Sequence, residues 1–277
     1  MRVLVASEAD VASVNQRSAL RALAPWKEER PFEGTPSYRQ GETVLVSIHE
    51  DHLYRDHLDR DLSAFLGESV DVVVYLSKHR SESRIPSLTV HPVGNPGKAD
   101  FGGHPHTLVP SSPLWMTAAL RRLRLEAKGL PYQVTFEATH HGPYLETPTF
   151  YIEQGSTERE WADLDASSAI ARTLLGLEPL DVPIAVGIGG GHYAPRHTDL
   201  VMARRVAFGH LIPSLALDGL PDEVLEQAIR CTPGASLAYL HRKSLGKPEA
   251  RDLETRLAAR GLRVVHEADL PPWEDKG

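Results

Sequence analysis

The chain holds one cysteine in 277 residues, Cys231. A lone thiol makes no internal disulfide, so a disulfide-stapled scaffold is excluded and a reducing cytoplasm is the expected home. Cys231 precedes the turn signal Thr232-Pro233-Gly234, and nothing beside it would activate it, so it reads as a small half-buried apolar residue. Long apolar runs are missing too. No stretch approaches the ~18 residues of a membrane helix, and no membrane association is expected. The opening "MRVLVASEAD" lacks the long apolar segment and small-residue cleavage site of a signal peptide and reads as a first strand. Positive charge is not in excess: 30 Lys and Arg face 37 Asp and Glu, for a net charge of −7. That excludes indiscriminate binding of polyphosphate but leaves room for a local basic patch.

What remains is ordinary globular composition, 41% hydrophobic and 24% charged, with 14 histidines as the unusual feature. The length suits one large α/β domain over 1–277. Strands are expected at 3–6, 44–48, 70–76, 88–91, 132–139 and 182–189, with a last strand in "LRVVHE". Helices are expected at 9–24, 114–128, from a Thr157/Glu160 capping box to about 175, and near 199–206, 221–231 and 248–260. Residues 25–42 read as a Pro/Gly-bearing connection and 92–113 as a long loop rich in Pro, Gly and His. The alternation predicts a mixed, mostly parallel sheet flanked by helices.

Polar clusters follow three of these strands: "SKHRSESR", "THHGPYLE" and "GGGHYAPRHTD". In open parallel sheets ligands bind at the carboxyl ends of strands. The loops 77–84, 140–146 and 189–199 are therefore expected to meet at one sheet edge, with His141 and His192 within about 15 Å of each other. Neighbours in a regular strand face opposite ways, so His140 and His141 can share a site only if the chain turns, and Gly142-Pro143 supplies a turn. Imidazoles serve as metal ligands or general bases, which makes His140, His141, His192 and His197 the candidates for both. Glu137 and Glu146 are candidate orienting groups or ligands. The bland alternative is one packed and one solvent-facing histidine. Glycines 187 and 189–191 end a strand without side chains, so the Gly189, Gly190 and Gly191 amides are candidate oxyanion donors; the alternative is a tight structural turn. No Lys-Ser/Thr follows, which rules out a P-loop, and the five-residue spacing of His192 and His197 is not that of a helical zinc motif. Lys78, His79, Arg80 and Arg196 are candidate substrate-binding residues, Lys78, Arg80 and Arg196 for phosphate; for the 78–84 loop the alternative is a solvated charged loop. Arg121, Arg124 and Lys128 share one helix face, either a solvated stripe or a seat for a polyanion.

Taken together, "SKHRSES", "PSLTVHPVGN", "ATHHGP", "EQGSTEREW" and "GIGGGHYAPRHTD" resemble the archaeal and plant type of D-aminoacyl-tRNA deacylase, in order and over residues 1 to 270. The resemblance implies an ester hydrolase that removes D-amino acids from the 3′ end of tRNA, a zinc requirement, and a fold related to peptidyl-tRNA hydrolases and nucleoside phosphorylases. It also implies a D-aminoacyl-tRNA partner, a monomer, and a small residue such as Gly where Arg84 stands. Two other functions compete: a zinc-dependent amidohydrolase or exopeptidase acting on small D-amino acid derivatives, and a non-catalytic RNA-binding module.

Overall fold

The computed structural model describes residues 1–274. The chain opens with β1 (Arg2–Ser7), α1 (Val11–Leu23), β2 (Lys27–Phe32), β3 (Thr35–Gln40), β4 (Thr43–Ile48) and α2 (Leu58–Leu66). Next come β5 (Val72–Arg80), β6 (Ser87–Pro92), the short pair β7 (Gly94–Asn95) and β8 (Thr107–Leu108), and α3 (Pro113–Glu126). β9 (Gln133–Phe136), β10 (Thr149–Ser156), α4 (Glu158–Trp161) and α5 (Leu164–Leu175) follow. The remainder is β11 (Ile184–Ile188), α6 (Pro195–Ala203), β12 (Ala207–Ile212), α7 (Asp222–Arg230), β13 (Ala235–Leu240), α8 (Lys247–Ala259) and β14 (Arg263–Val265).

The first ten strands, β7 and β8 apart, form an eight-stranded sheet in the order β2-β3-β4-β1-β5-β10-β6-β9. Its centre, β4-β1-β5-β10, is parallel, β6 runs antiparallel to β10, and β9 is parallel to β6. The expected mixed, mostly parallel sheet flanked by helices is thus present. The strands after residue 183 do not extend it; they form a second, all-parallel sheet in the order β12-β11-β13-β14. Leu4, Phe150, Phe208 and Tyr239 belong to one buried cluster, so the two sheets share a core.

Residues 25–42 are not a connection but a hairpin. β2 is an edge strand reading "KEERPF", mostly exposed, so it carries no apolar alternation. Its turn, Glu33-Gly34, takes positive φ at both residues (48° and 83°), a conformation suited to hairpin turns. The Thr157/Glu160 box forms: the Glu160 carboxylate accepts from the Thr157 amide at 3.0 Å and hydroxyl at 2.6 Å. It opens only one turn of helix, because Asp163 then caps a new helix by accepting from Asp165 and Ala166 amides at 2.9 and 3.2 Å. Arg84 has φ of 54°, the left-handed region in which glycine costs least, which accounts for the small residue expected there.

Candidate active site on the polar face of the sheet

Four adjacent strands alternate apolar and polar side chains over their central residues. In β5 the series is Tyr75, Ser77, His79 against Val74 and Leu76. In β6 it is Ser87, Thr89, His91 against Leu88 and Val90. In β9 and just beyond it is Thr135, Glu137 against Phe136, and in β10 Tyr151, Glu153 against Phe150 and Ile152. Period two sends each series to its own face. Register aligns the polar members: Glu153 lies opposite Ser77 and Thr89, Thr89 opposite Thr135, and His91 opposite Tyr151. The apolar series packs in the main core with α1, α3 and α5 residues. The polar series is buried as well: His91 and Glu137 are 0% exposed, Glu153 2% and His79 4%.

Loops complete the cluster from above this face. His141 has φ of 46°, so the chain turns at that residue and both histidines reach one place. The His140 ring lies 4.3 Å from that of His141, 4.2 Å from His91 and 4.6 Å from His192, measured between centroids. His192 arrives from the loop after β11, held by a bridge between Glu137 and Tyr193 and by donation of the Ala138 amide to the His192 carbonyl at 2.8 Å. Glu137 sits among them. Its Oε2 is 3.2 Å from His192 Nε2 and 3.5 Å from His140 Nε2, and its Oε1 is 3.1 Å from His79 Nδ1. Neither Glu137 oxygen, nor His91 Nε2, meets hydrogen-bond geometry with a partner among the described residues.

The histidines divide into two electrostatic kinds. Burial works against charge on His79, but hydrogen bonding to Glu153 and the charges of Glu137 and Glu153 outweigh it and raise the imidazole to about 10. Burial opposes charge on His91 too, and Glu153 again turns the balance upward. Burial would raise the Glu153 carboxyl; the hydrogen bonds and charges of His79 and His91 hold it well below the usual carboxylate range. His140 and His141 go the other way. Burial, reinforced by neighbouring histidines, pushes His140 well below its ordinary value and His141 to about 3. Both are neutral at physiological pH. Their tautomers follow from their partners. Nδ1 of His91, His140 and His141 faces the carbonyl of Pro92 (3.1 Å), Ala138 (2.8 Å) and Gly142 (2.6 Å), respectively. A carbonyl only accepts, so each Nδ1 donates and each Nε2 is the nitrogen left for other partners. One ligand atom from each of these three rings lies within 4.8 Å of the other two.

The expected site residues fall into two groups. Glu137, His140, His141 and His192 come together, and His79, expected to bind substrate, sits at the centre. The loops meet over the face of the sheet rather than at one edge, because β9 runs opposite to β5 and β11 belongs to the other sheet. His197 is elsewhere: it is buried against Phe208 and Tyr239, ring centroids 5.1 and 5.6 Å away. Glu146 is at the surface, paired with Arg60 at 2.6 Å. The amides of Gly189 and Gly190 are taken, the first by the Ile212 carbonyl at 2.8 Å and the second by the Ser244 and Ser214 hydroxyls at 2.7 and 3.0 Å. Of the three, only Gly191 keeps a free amide among the described residues. Lys78 and Arg80 lie over Trp161, at 5.8 and 5.1 Å, with Arg80 paired to Glu158 at 3.0 Å. Arg196 is bound to Glu267 and to the Tyr239 hydroxyl. Arg121 does not share a free stripe with Arg124 and Lys128. Its guanidinium donates to the carbonyls of Val201 and Met202 (2.5 and 3.2 Å) and stacks 3.8 Å from the Trp273 ring. Arg124 and Lys128 remain exposed.

Sequence reasoning missed His91, Glu153 and Tyr193, whose hydroxyl meets His79 Nε2 at 2.9 Å. The usable signal was the buried-type alternation of "SLTVHP" and "TFYIEQ": polar groups at every second position, set against Leu88, Val90, Phe150 and Ile152 on the other face.

An α/β chain with neutral imidazoles, an unsatisfied buried carboxylate and one solvent-reaching histidine over a sheet face has the equipment of a hydrolase. Comparison with known proteins narrows that class. A family model described as D-aminoacyl-tRNA deacylase matches residues 66–265. The D-aminoacyl-tRNA deacylase of Methanosarcina mazei is 40% identical over 96% of this chain and 92% of its own length. That of Pyrococcus abyssi is 35% identical over 96% and 99%. A solved structure of a conserved protein of unknown function superposes with a TM-score of 0.90 at 30% identity, covering 98% of this chain and 96% of that one. The chain belongs to the D-aminoacyl-tRNA deacylase family.

Proposed function

We propose that this chain hydrolyses the ester between a D-amino acid and the 3′ end of tRNA, acting in the cytoplasm with zinc as cofactor. The observation that carries the reading is the pairing of two devices in one cluster. His91, His140 and His141 each donate Nδ1–H to a backbone carbonyl, and each brings a ring nitrogen within 4.8 Å of the other two. Beside them, His192 rests on the buried Glu137 carboxylate at 3.2 Å. Three imidazoles oriented by carbonyls fit a zinc ion, which when bound supplies Lewis acidity to an ester carbonyl. His91 must give up its Nε2 proton to ligate, so metal uptake weakens as pH is lowered.

This chain's residues supply the rest. His192, half-exposed and oriented by Glu137, is the general base: it takes a proton from water as the water oxygen bonds to the ester carbon. The ester C–O bond then breaks, and the same imidazolium returns the proton to the departing ribose oxygen. Charged His79 against Glu153 holds that carboxylate ionised, and Glu137, 3.1 Å from His79 and 3.2 Å from His192, is placed to steady His192 as that ring takes up a proton. The free Gly191 amide adjoins His192 in the chain and is the remaining backbone candidate for the developing oxyanion.

The test is hydrolysis of D-tyrosyl-tRNA beside L-tyrosyl-tRNA, with metal analysis of the same preparation. The D ester is cleaved, the L ester is spared, chelation removes activity and zinc restores it. A protein inert on D-aminoacyl-tRNA but active on small D-aminoacyl amides belongs to the competing amidohydrolase reading.

A further inference from the structure

Eight large apolar side chains are exposed among the described residues, and only two of them are aromatic, Tyr54 and Phe101, each 62% exposed. They stand on different loops that the fold locks together. A Cβ at Gly102 would lie 1.7 Å from the Leu53 carbonyl oxygen and 3.5 Å from the Tyr54 ring, and a Cβ at Gly142 would lie within 2.7 Å of Gly103, Gly102 and Leu53 backbone atoms. The Gly142 amide donates to the Phe101 carbonyl at 2.9 Å, and Asn95 donates to the Gly102 carbonyl at 2.9 Å. Gly142 is the residue after His141 and accepts from its ring. Both aromatic side chains are therefore carried on rigid backbone next to the catalytic cluster. Tyr144, flanked by the His57 and His104 rings at 5.4 and 5.2 Å, continues the surface.

We infer that Tyr54 and Phe101 form a stacking platform for the unpaired terminal base of the substrate's 3′ strand. The inference rests on the proposed ester hydrolysis: the base beside the reacting ester is one sugar away from it, and the Phe101 carbonyl is held by the amide of Gly142, the residue after His141. Chemistry favours a base over a charged ligand. The protein is acidic, net −7, so its overall charge does not attract a polyanion. Aromatic stacking holds single-stranded bases by their faces, whatever the net charge, and is a recurring means of single-strand recognition.

The experiment measures two things on the full chain. The first is Kd for a short single-stranded RNA ending in adenosine, and for the same RNA ending in an abasic nucleotide. The second is KM and kcat on D-tyrosyl-tRNA and D-alanyl-tRNA. Phe101→Ala and Tyr54→Ala each weaken binding of the adenosine-ended RNA about fivefold to a hundredfold. They leave the already weaker abasic RNA unaffected, and they raise KM equally on both charged tRNAs with kcat nearly constant. Phe101→Trp restores the loss, which separates stacking from folding. Equal wild-type affinity for the two RNAs overturns the platform whether or not the protein hydrolyses anything. A KM loss confined to D-tyrosyl-tRNA also overturns it, because the rings would then hold the amino acid side chain. Failure of wild-type hydrolysis with adenosine-dependent binding intact sinks the proposed reaction and not the platform.

Discussion

His141 and His192 differ in what surrounds them, and the difference separates their roles. His141 is half-buried, neutral and fixed by its carbonyl-bound Nδ1, whereas His192 is more open to solvent and rests on Glu137. Replacing either by Ala lowers kcat at least about a hundredfold, the usual range for a lost general base or ligand. On the proposed zinc reading, metal analysis then tells them apart: His141→Ala loses zinc and His192→Ala retains it. A full zinc load in His141→Ala assigns that ring another role. His197 gives a second residue-scale expectation. Burial, then the nearby His241 and Arg196 charges, lowers it to about 3. Its unfolded value is near 6.5, so the unfolded chain binds more protons between those values. Stability therefore rises with pH across that window and is lost on acidification. His197→Leu flattens the acid limb of a denaturation series between pH 4 and 6.5; an unchanged limb means that other groups control it. At this scale the sequence was informative about type and poor about place. Fourteen histidines announced chemistry, but His140 and His197 look alike in sequence, and only packing made one a cluster member and the other a core residue.

Elements add constraints that no single residue carries. The turn at His141-Gly142 presses against residues 53 and 101–103, where a Cβ on Gly142 would lie 2.3 Å from the Gly103 nitrogen. Backbone cannot yield as a flexible side chain can, so Gly142→Ala destabilises the protein by about 1–3 kcal/mol. It also displaces His141, so kcat falls further than the stability loss alone accounts for. Denaturant midpoints beside kcat measure both, and a destabilised variant with wild-type kcat shows the turn to be structural only. The strands show how far patterning carries. Alternation in β5, β6, β9 and β10 assigns a polar and an apolar face from sequence alone, yet the loops between them suggested a site at an edge. Strand direction caused the error: β6 and β9 reverse relative to β10, so residues from strands of opposite sense meet over one face.

On the scale of the whole molecule, the question is where an acidic protein seats a tRNA body. Arg121 is withdrawn from that task by Trp273 and two carbonyls, so Arg121→Ala lowers thermal stability, by about 1–3 kcal/mol for lost stacking and charged hydrogen bonds, and leaves KM unchanged. Arg124 and Lys128 stay exposed and line a cavity of about 360 Å³ with Tyr132 and Asp199. Neutralising both flattens the salt dependence of tRNA binding by about 1.4 to 1.8 units if each meets a phosphate. A slope equal to wild type makes them a solvated face.

The sequence by itself determined the family, the α/β class, the elements with strong periodicity, and the residues able to do chemistry, because these depend on residue type and local order along the chain. Only the tertiary structure decided that there are two sheets, that His91 and Glu153 complete the cluster, that His197 is packed among core rings, and that Arg121 and two glycine amides are already engaged. Those outcomes depend on strand direction, register and which partner reaches a polar group first, and these are fixed by contacts between segments far apart in the chain. Glu137 shows both halves: its place beside two histidines is written in "EATHH", while its approach to His79 and His192 exists only once β5, β9 and the loop after β11 have packed together.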